Sequence, residues 1–240
     1  MTVPLHARID ALLSRRGALA FGVADLTAPD VHQEIVAQGG EWLGAFPRAI
    51  SIAHRLQDGI VEELPDHHRE AVVARVYDFH IYRTVNDLLD GMADRIATEL
   101  QGDGFRAVPV PTSLAIDPTG FKGAISHKLV ARAAGLGWIG RSCLLITPQA
   151  GPRVRLVSVL TNAPLKTGAA LPRDCGRCTM CVDYCPAQAF TGEPFRLDGP
   201  LEERMDVRAC HEYRQLAKET SGAPICGVCV AVCPHGRSGS

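Results

Sequence analysis

Nine cysteines carry most of the readable chemistry, and their distribution is uneven. Residues 1–142 contain none, and eight of the nine fall between 175 and 233. Cys175, Cys178, Cys181 and Cys185 are spaced C-x₂-C-x₂-C-x₃-C with Pro186 directly after, the spacing that wraps a [4Fe–4S] cube. Cys226, Cys229 and Cys233, with Pro234, repeat the last three cysteines of that run and its proline. In chains that hold two cubes, the fourth cysteine of each run ligates the other cube. The spacing therefore predicts one cube on Cys175, Cys178, Cys181 and Cys233. The other takes Cys185, Cys226 and Cys229, with Cys210 as the only cysteine left in the region to complete it. The alternative is structural zinc, which uses two C-x₂-C pairs or cysteine with histidine. A run of four whose last member is redirected does not suit one tetrahedral ion. Two neighbouring cubes form an electron relay, so a redox enzyme or an electron carrier is expected. Cys143, in the apolar run CLLIT, reads as a buried structural thiol.

The remaining composition is that of an ordinary globular chain of one or two domains. Net charge is −1 over 240 residues, with 46% apolar and 21% charged residues, which gives no reason to expect a nucleic-acid or membrane-surface binder. No apolar run approaches the roughly 18 residues of a membrane span, and MTVPLHARIDALLSRRG is amphipathic rather than a secretory leader. A cytoplasmic location is expected, where reducing conditions keep thiols free for metal.

The elements that must hold the cysteines are legible in part. Residues 5–16 read as an amphipathic helix and 18–24 as a buried strand. A second helix is expected near 31–38 and a strand over 48–53. A long helical pattern covers 68–100, with a break or bend expected at Gly91. Residues 105–110 read as a strand pushed to an edge by Pro109. A helix over 123–134 is stopped by Gly135 and Gly137. Residues 142–147 and 153–161 read as two strands around a turn. This order predicts an α/β (α+β) layer structure. The expected domains are 1–165, free of cysteine apart from Cys143, and 166–240, a small ferredoxin-like domain.

Ser126–Leu165, SHKLVARAAGLGWIGRSCLLITPQAGPRVRLVSVLTNAPL, resembles the core segment of the epoxyqueuosine reductase family. The LVSVLTNAPL run and the double-cluster cysteines follow in that family's order. RVYDFH (75–80) and DVRAC (206–210) are weaker matches, so the likeness covers about residues 45–236. That family is similar in turn to corrinoid-dependent reductive dehalogenases. The resemblance implies a nitroreductase-like cobalamin-binding core followed by a two-cluster ferredoxin-like domain. It also implies cobalamin besides two [4Fe–4S] clusters, and an external electron donor of ferredoxin or flavodoxin type. At the family's catalytic aspartate position stands Phe121, and Asp117 is the nearest acid. The chain looks like a short form without the family's C-terminal helical-repeat region, which makes tRNA a weaker expectation than a small substrate. Reductive chemistry on such a substrate, or on the corrinoid itself, is the preferred reading. Epoxyqueuosine reduction on tRNA and a plain electron-transfer protein are the alternatives.

Within the signature two roles compete for each residue. Gly137, Trp138, Ile139 and Gly140 form either a helix stop with a packed tryptophan or a surface that a planar cofactor approaches closely. Ser126 caps a helix or borders the cofactor. His127 is a solvated side chain or, with Asp117, a proton donor. Lys128 and Arg141 are surface cations or hold cofactor phosphate and amide groups.

Overall fold

The computed structural model describes residues 4–29, 31–32, 41–117 and 121–236. The expected helix near 31–38 lies outside the described residues beyond His32. In chain order the elements are α1 (Leu5–Arg15), β1 (Ala20–Asp25), β2 (Arg48–Arg55), α2 (Asp58–Val61), α3 (Leu64–His67) and α4 (Ala71–Phe79). A π-helical stretch (His80–Val85) leads to α5 (Asn86–Gly102), β3 (Ala107–Val110), α6 (His127–Ala133), β4 (Trp138–Ile139), β5 (Leu145–Ile146) and β6 (Val154–Thr161). The cysteine-rich end adds α7 (Met180–Asp183), α8 (Val207–Ser221) and α9 (Val228–Ala231). Among the described residues no helix is long and apolar enough to cross a membrane.

One compact unit comprises Met1–Arg55, Asn86–Gly137 and Arg155–Leu171. Its sheet runs β1-β2-β6-β3, with Val23 opposite Ile50 and Val110 opposite Ser158 in antiparallel pairs. Ala49–Ala53 of β2 and Leu156–Thr161 of β6 are buried without a polar face. Such strands are covered on both sides. The cover comes from α5 on β2 and β3, α6 on β1 and β2, and α1 on β1. Met92, Ile96 and Leu100 of α5 and Ile9 and Leu13 of α1 supply core side chains. Pro109, which cannot donate a ladder hydrogen bond, sits on edge strand β3. A Cβ on Gly22 would stand 2.6 Å from the Ala134 carbonyl oxygen, so glycine lets β1 and the end of α6 meet.

Three expectations change. α5 runs straight through Gly91, which costs a helix only about 1 kcal/mol, and the irregularity falls instead in the π stretch 80–85. Helix α6 starts at 127 rather than 123, because Gly123 is bridged to Ala115 and the Ser126 hydroxyl accepts from the Leu129 N–H. The two strands expected around the turn at 148–152 do not pair. Leu145–Ile146 pairs with Trp138–Ile139, whereas β6 joins the four-stranded sheet.

The other unit comprises Leu56–Val85, Trp138–Val154 and Pro172–Ser240. It cuts across the sequential division at 165/166, because segments from before that point pack onto the cysteine-rich end. Within it α4 packs on α8, α3 on α9, and α7 on α9. The turn closed by Thr147 and Gly151 lies against Gly236, where a Cβ on Gly151 would come within 2.6 Å of the Gly236 nitrogen.

Candidate iron–sulfur centre

The two cysteine runs fold alike. In each, a cysteine stands one residue before the N-cap of a four-residue helix, Cys178 before Thr179 and Cys226 before Gly227. A second cysteine, Cys181 or Cys229, is the second helical residue, and a third, Cys185 or Cys233, stands two residues past the helix end. Proline follows and prevents the helix from continuing. Aligned this way, the counterpart of Cys175 in the second run is Ala223. Helix α8, capped by the Asp206 carboxylate accepting from Ala209 N–H, carries Cys210 instead.

The thiols sort into two sets. Burial pushes Cys181 up to about 12, and Cys175, Cys233 and Cys178 add to the shift. Burial likewise pushes Cys233 up to about 11, against a hydrogen bond from His235 N–H, with Cys175 and Cys178 as its thiol neighbours. Burial raises Cys226 to about 11, with Cys210 and Cys185 beside it. Cys229 is raised by burial and by Cys226, Cys210 and Cys185, with Cys181 a weaker neighbour. The sets are Cys175, Cys178, Cys181, Cys233 and Cys185, Cys210, Cys226, Cys229, each of four thiols. None of the nine cysteines is in a disulfide. Thiols pushed up in this way keep their protons until a metal displaces them. Among the described residues no three His, Cys, Asp or Glu converge tightly enough to hold one metal ion. A cube presents a separate iron to each thiolate and asks for no such convergence.

Residues around these loops set their shape. Arg141 donates to the Gly192 carbonyl and, at 2.8 Å, to the Gly176 carbonyl inside the Cys175–Cys178 loop. It braces that loop, where the sequence suggested a cofactor phosphate. A Cβ on Gly140 would lie 3.2 Å from Cys175 Sγ, so the glycine allows the thiol to approach. Trp138 packs edge-on against His235 at 5.2 Å, and Ile139 is buried beside it in β4. Cys143 is buried, with Arg204 Nη1 at 3.8 Å from its sulfur. The brace by Arg141 has no sequence signal, because its acceptors are carbonyls far along the chain.

Gly227 has φ +77°, and a Cβ there would come within 2.7 Å of Leu64 Cδ1 and 2.9 Å of Tyr77 Cε1. Gly227→Ala is expected to cost about 2–3 kcal/mol from left-handed strain and overpacking. The check is the thermal midpoint of anaerobically prepared protein beside Gly176→Ala. Gly176 has φ +53° but nothing within 4 Å, so its loss is expected to be smaller.

The signature residues fall in both units. Ser126, His127, Lys128 and Gly137 belong to the sheet unit, and Trp138, Ile139, Gly140 and Arg141 to the cysteine unit. His127 Nε2 donates to the Pro111 carbonyl at 3.1 Å and Nδ1 accepts from the Ser158 hydroxyl at 2.8 Å. Burial of the ring pushes its pKa down to about 4, against the Pro111 carbonyl, which raises it. A neutral imidazole with both nitrogens engaged ties α6 to β6 and to the residue that follows β3, and it is poorly suited to the proton-donor role expected of it. Asp117 accepts from Lys122 N–H at 2.9 Å.

The His127 shift makes stability depend on pH. The unfolded chain takes up its proton near 6.5, the folded chain only near 4. The contribution is therefore complete well above pH 6.5 and declines as pH falls towards 4, by about 3 kcal/mol. His127→Gln, which does not titrate, is expected to flatten the fall in thermal midpoint between pH 7 and 5. Equal falls in both proteins would assign the acid sensitivity elsewhere.

Residues 174–236 match the family described as a 4Fe-4S double cluster binding domain. The whole chain has the fold of reductive dehalogenases and epoxyqueuosine reductases. The reductive dehalogenase whose structure suggests a mechanism for B12-dependent dehalogenation superposes with a TM-score of 0.71 and 19% identity, over 97% of this chain and 32% of that one. An epoxyqueuosine reductase from Streptococcus thermophilus superposes with a TM-score of 0.60 and 18% identity, over 97% of this chain and 66% of that one.

In sequence the chain resembles the epoxyqueuosine reductase family in particular. It is 33% identical over 174 residues to epoxyqueuosine reductase of Pseudomonas aeruginosa, covering 67% of this chain and 42% of that protein. With the Xanthomonas campestris pv. campestris enzyme it is 30% identical over 185 residues, covering 70% and 45%. The match thus spans less than half the length of these curated relatives.

Proposed function

We propose that the chain is an iron–sulfur reductase that relays single electrons through two [4Fe–4S] cubes to a bound corrinoid, for reduction of a small substrate or of the corrinoid itself. The observation that carries this reading is the sorting of eight thiols into two interlocked sets, with Gly140 lying against Cys175. Each set offers four sulfur donors, which suits a cube in type and number. Cys175, Cys178, Cys181 and Cys233 would hold one cube, and Cys185, Cys210, Cys226 and Cys229 the other.

The corrinoid rests on the likeness to a B12-dependent dehalogenase and on one atom of the signature. Trp138 Nε1 is buried with no acceptor among the described residues, so a bound group can supply one. When bound, a corrinoid supplies low-valent cobalt as the reducing centre. Ser126, His127, Gly140 and Arg141 serve protein contacts, each within its own unit, and their part is to hold the local fold there. Asp117 is the acid proposed to deliver the proton. Titrating anaerobically reconstituted protein with cobalamin is expected to give saturable spectral changes. A flat titration would remove the corrinoid from the reading.

A second reading is epoxyqueuosine reduction on tRNA, favoured by the two relatives above and by the same fold in an epoxyqueuosine reductase solved with an epoxyqueuosine-modified tRNA stem loop. Complementation of a queuosine-deficient bacterial strain separates the two. Restored queuosine puts tRNA first, and no restoration keeps the small-substrate reading.

A further inference from the structure

A relay of two cubes draws every electron from outside, and one surface of the cysteine unit has the chemistry to receive the donor. Helix α4 is amphipathic in an unusual sense. Ala74 and Tyr77 face the core, while Val72, Val76 and Phe79 are 76%, 51% and 60% exposed. Positions 72, 76 and 79 are spaced i, i+4, i+7 and form one stripe. Exposed apolar stripes of this kind mark interaction surfaces.

Two arginines border the stripe, and the nearest exposed acids, Glu70 and Asp87, stand before the helix and after the π stretch. Arg75 and Arg83 are exposed beside it, and none of the exposed positions from 71 to 84 is a carboxylate. Asp78, half-buried, follows Arg75 by three positions and so lies on the same flank of the helix. Arg83 stacks over the Phe79 ring at 5.9 Å. The Arg75 stem rests 3.6 Å from where a Cβ on Gly222 would stand, at the end of α8. Aromatic and arginine side chains on an apolar patch are the composition of a protein interface, and the charge suits an acidic partner.

The reverse side of the same helix meets the second thiol set. Tyr77 Cε1 and Oη lie 2.9 Å from the Cβ position of Gly227, between Cys226 and Cys229. A molecule seated on the stripe is thus separated from that loop by about one helix diameter, some 10–12 Å.

We infer that the exposed side of α4, Val72, Val76 and Phe79 with Arg75 and Arg83, is the docking face for a small acidic electron-carrier protein that reduces the cube of the second thiol set. The inference rests on the relay proposed above. One electron leaves the carrier's reduced flavin or iron–sulfur centre and enters the cube. The carrier is oxidised by one and the cube reduced by one, with no bond made or broken and no proton required.

The test uses the anaerobically reconstituted full chain and follows cluster bleaching by stopped-flow absorbance. The reductants are a reduced acidic two-iron ferredoxin, flavodoxin hydroquinone and dithionite. With Arg75→Glu/Arg83→Glu, iron content and the dithionite rate are expected to match wild type. The rate with at least one carrier is expected to fall about tenfold at low salt, the scale of electrostatic steering. Which carrier is slowed identifies the donor type. Arg15→Glu, on exposed α1, is expected to leave every rate unchanged. If dithionite fails to bleach wild-type protein, the relay itself is wrong. If dithionite works and the double variant accepts electrons from both carriers at the wild-type rate, the docking face is wrong and the relay stands. A wild-type dimer that Phe79→Asp converts to monomer would put a second copy on this face and also overturn the proposal.

Discussion

Cys185→Ala is expected to lower reconstituted iron from roughly eight to roughly four atoms per chain, the content of one four-iron cube. The cube lost is the one assigned to Cys210, Cys226 and Cys229, although Cys185 sits in the run that holds the other. Its thiol stands with Cys210, Cys226 and Cys229 rather than with Cys175 and Cys178. Double variants make the assignment sharp, because sites on one cube are not additive and sites on two cubes are. Cys185→Ala with Cys226→Ala should lose no more iron than either alone. Cys185→Ala with Cys178→Ala should lose nearly all of it. Iron and sulfide per chain, with electron paramagnetic resonance after reduction, give the count. If Cys185→Ala with Cys226→Ala loses all the iron while Cys185→Ala with Cys178→Ala retains about half, the cubes are not interlocked and each run holds its own.

Arg153→Ala is expected to lower the thermal midpoint by about 8 °C, corresponding to about 3 kcal/mol in a chain of this size. The Arg153 side chain is 1% exposed, and its Nη1 donates to Asp58 at 2.7 Å and to Glu62 at 3.0 Å. Nη2 lies 3.4 Å from the Ala231 carbonyl at the end of α9. The alanine variant loses these bonds and leaves a cavity between α2 and the loop of the second run. Asp58 and Glu62 are 27% and 54% exposed, so water recovers part of their solvation and the loss stays below that of a fully buried pair. Asp58→Asn keeps the packing and one acceptor and is expected to cost about 1 kcal/mol. A midpoint for Arg153→Ala within a degree or two of wild type would show that the acids hold that loop without it.

The amino-acid order alone determines the local geometry of the thiols. C-x₂-C spacing, a four-residue helix and a following proline act over fewer than a dozen residues, so they are visible in any window that contains them. The same is true of α1, β1 and β2, whose apolar periodicity is strong and whose boundaries lie within a few residues of expectation. Gly91 shows the limit of such reading: a glycine signals a break only weakly, and packing of Leu89, Met92 and Ile96 carries α5 through it. Deciding which thiols stand together takes the fold, since Cys210 reaches its set on a helix some distance from the other members. The grouping of residues 56–85 and 138–154 with the cysteine-rich end is also tertiary, because it rests on contacts such as Tyr77 on Gly227 and Arg153 on Asp58. For His127 and Arg141 the sequence shows side chains fit for chemistry. Only the folded chain commits their donors to the Pro111, Gly176 and Gly192 carbonyls, because a hydrogen bond depends on a partner brought near in space and leaves no trace in the spacing of the chain.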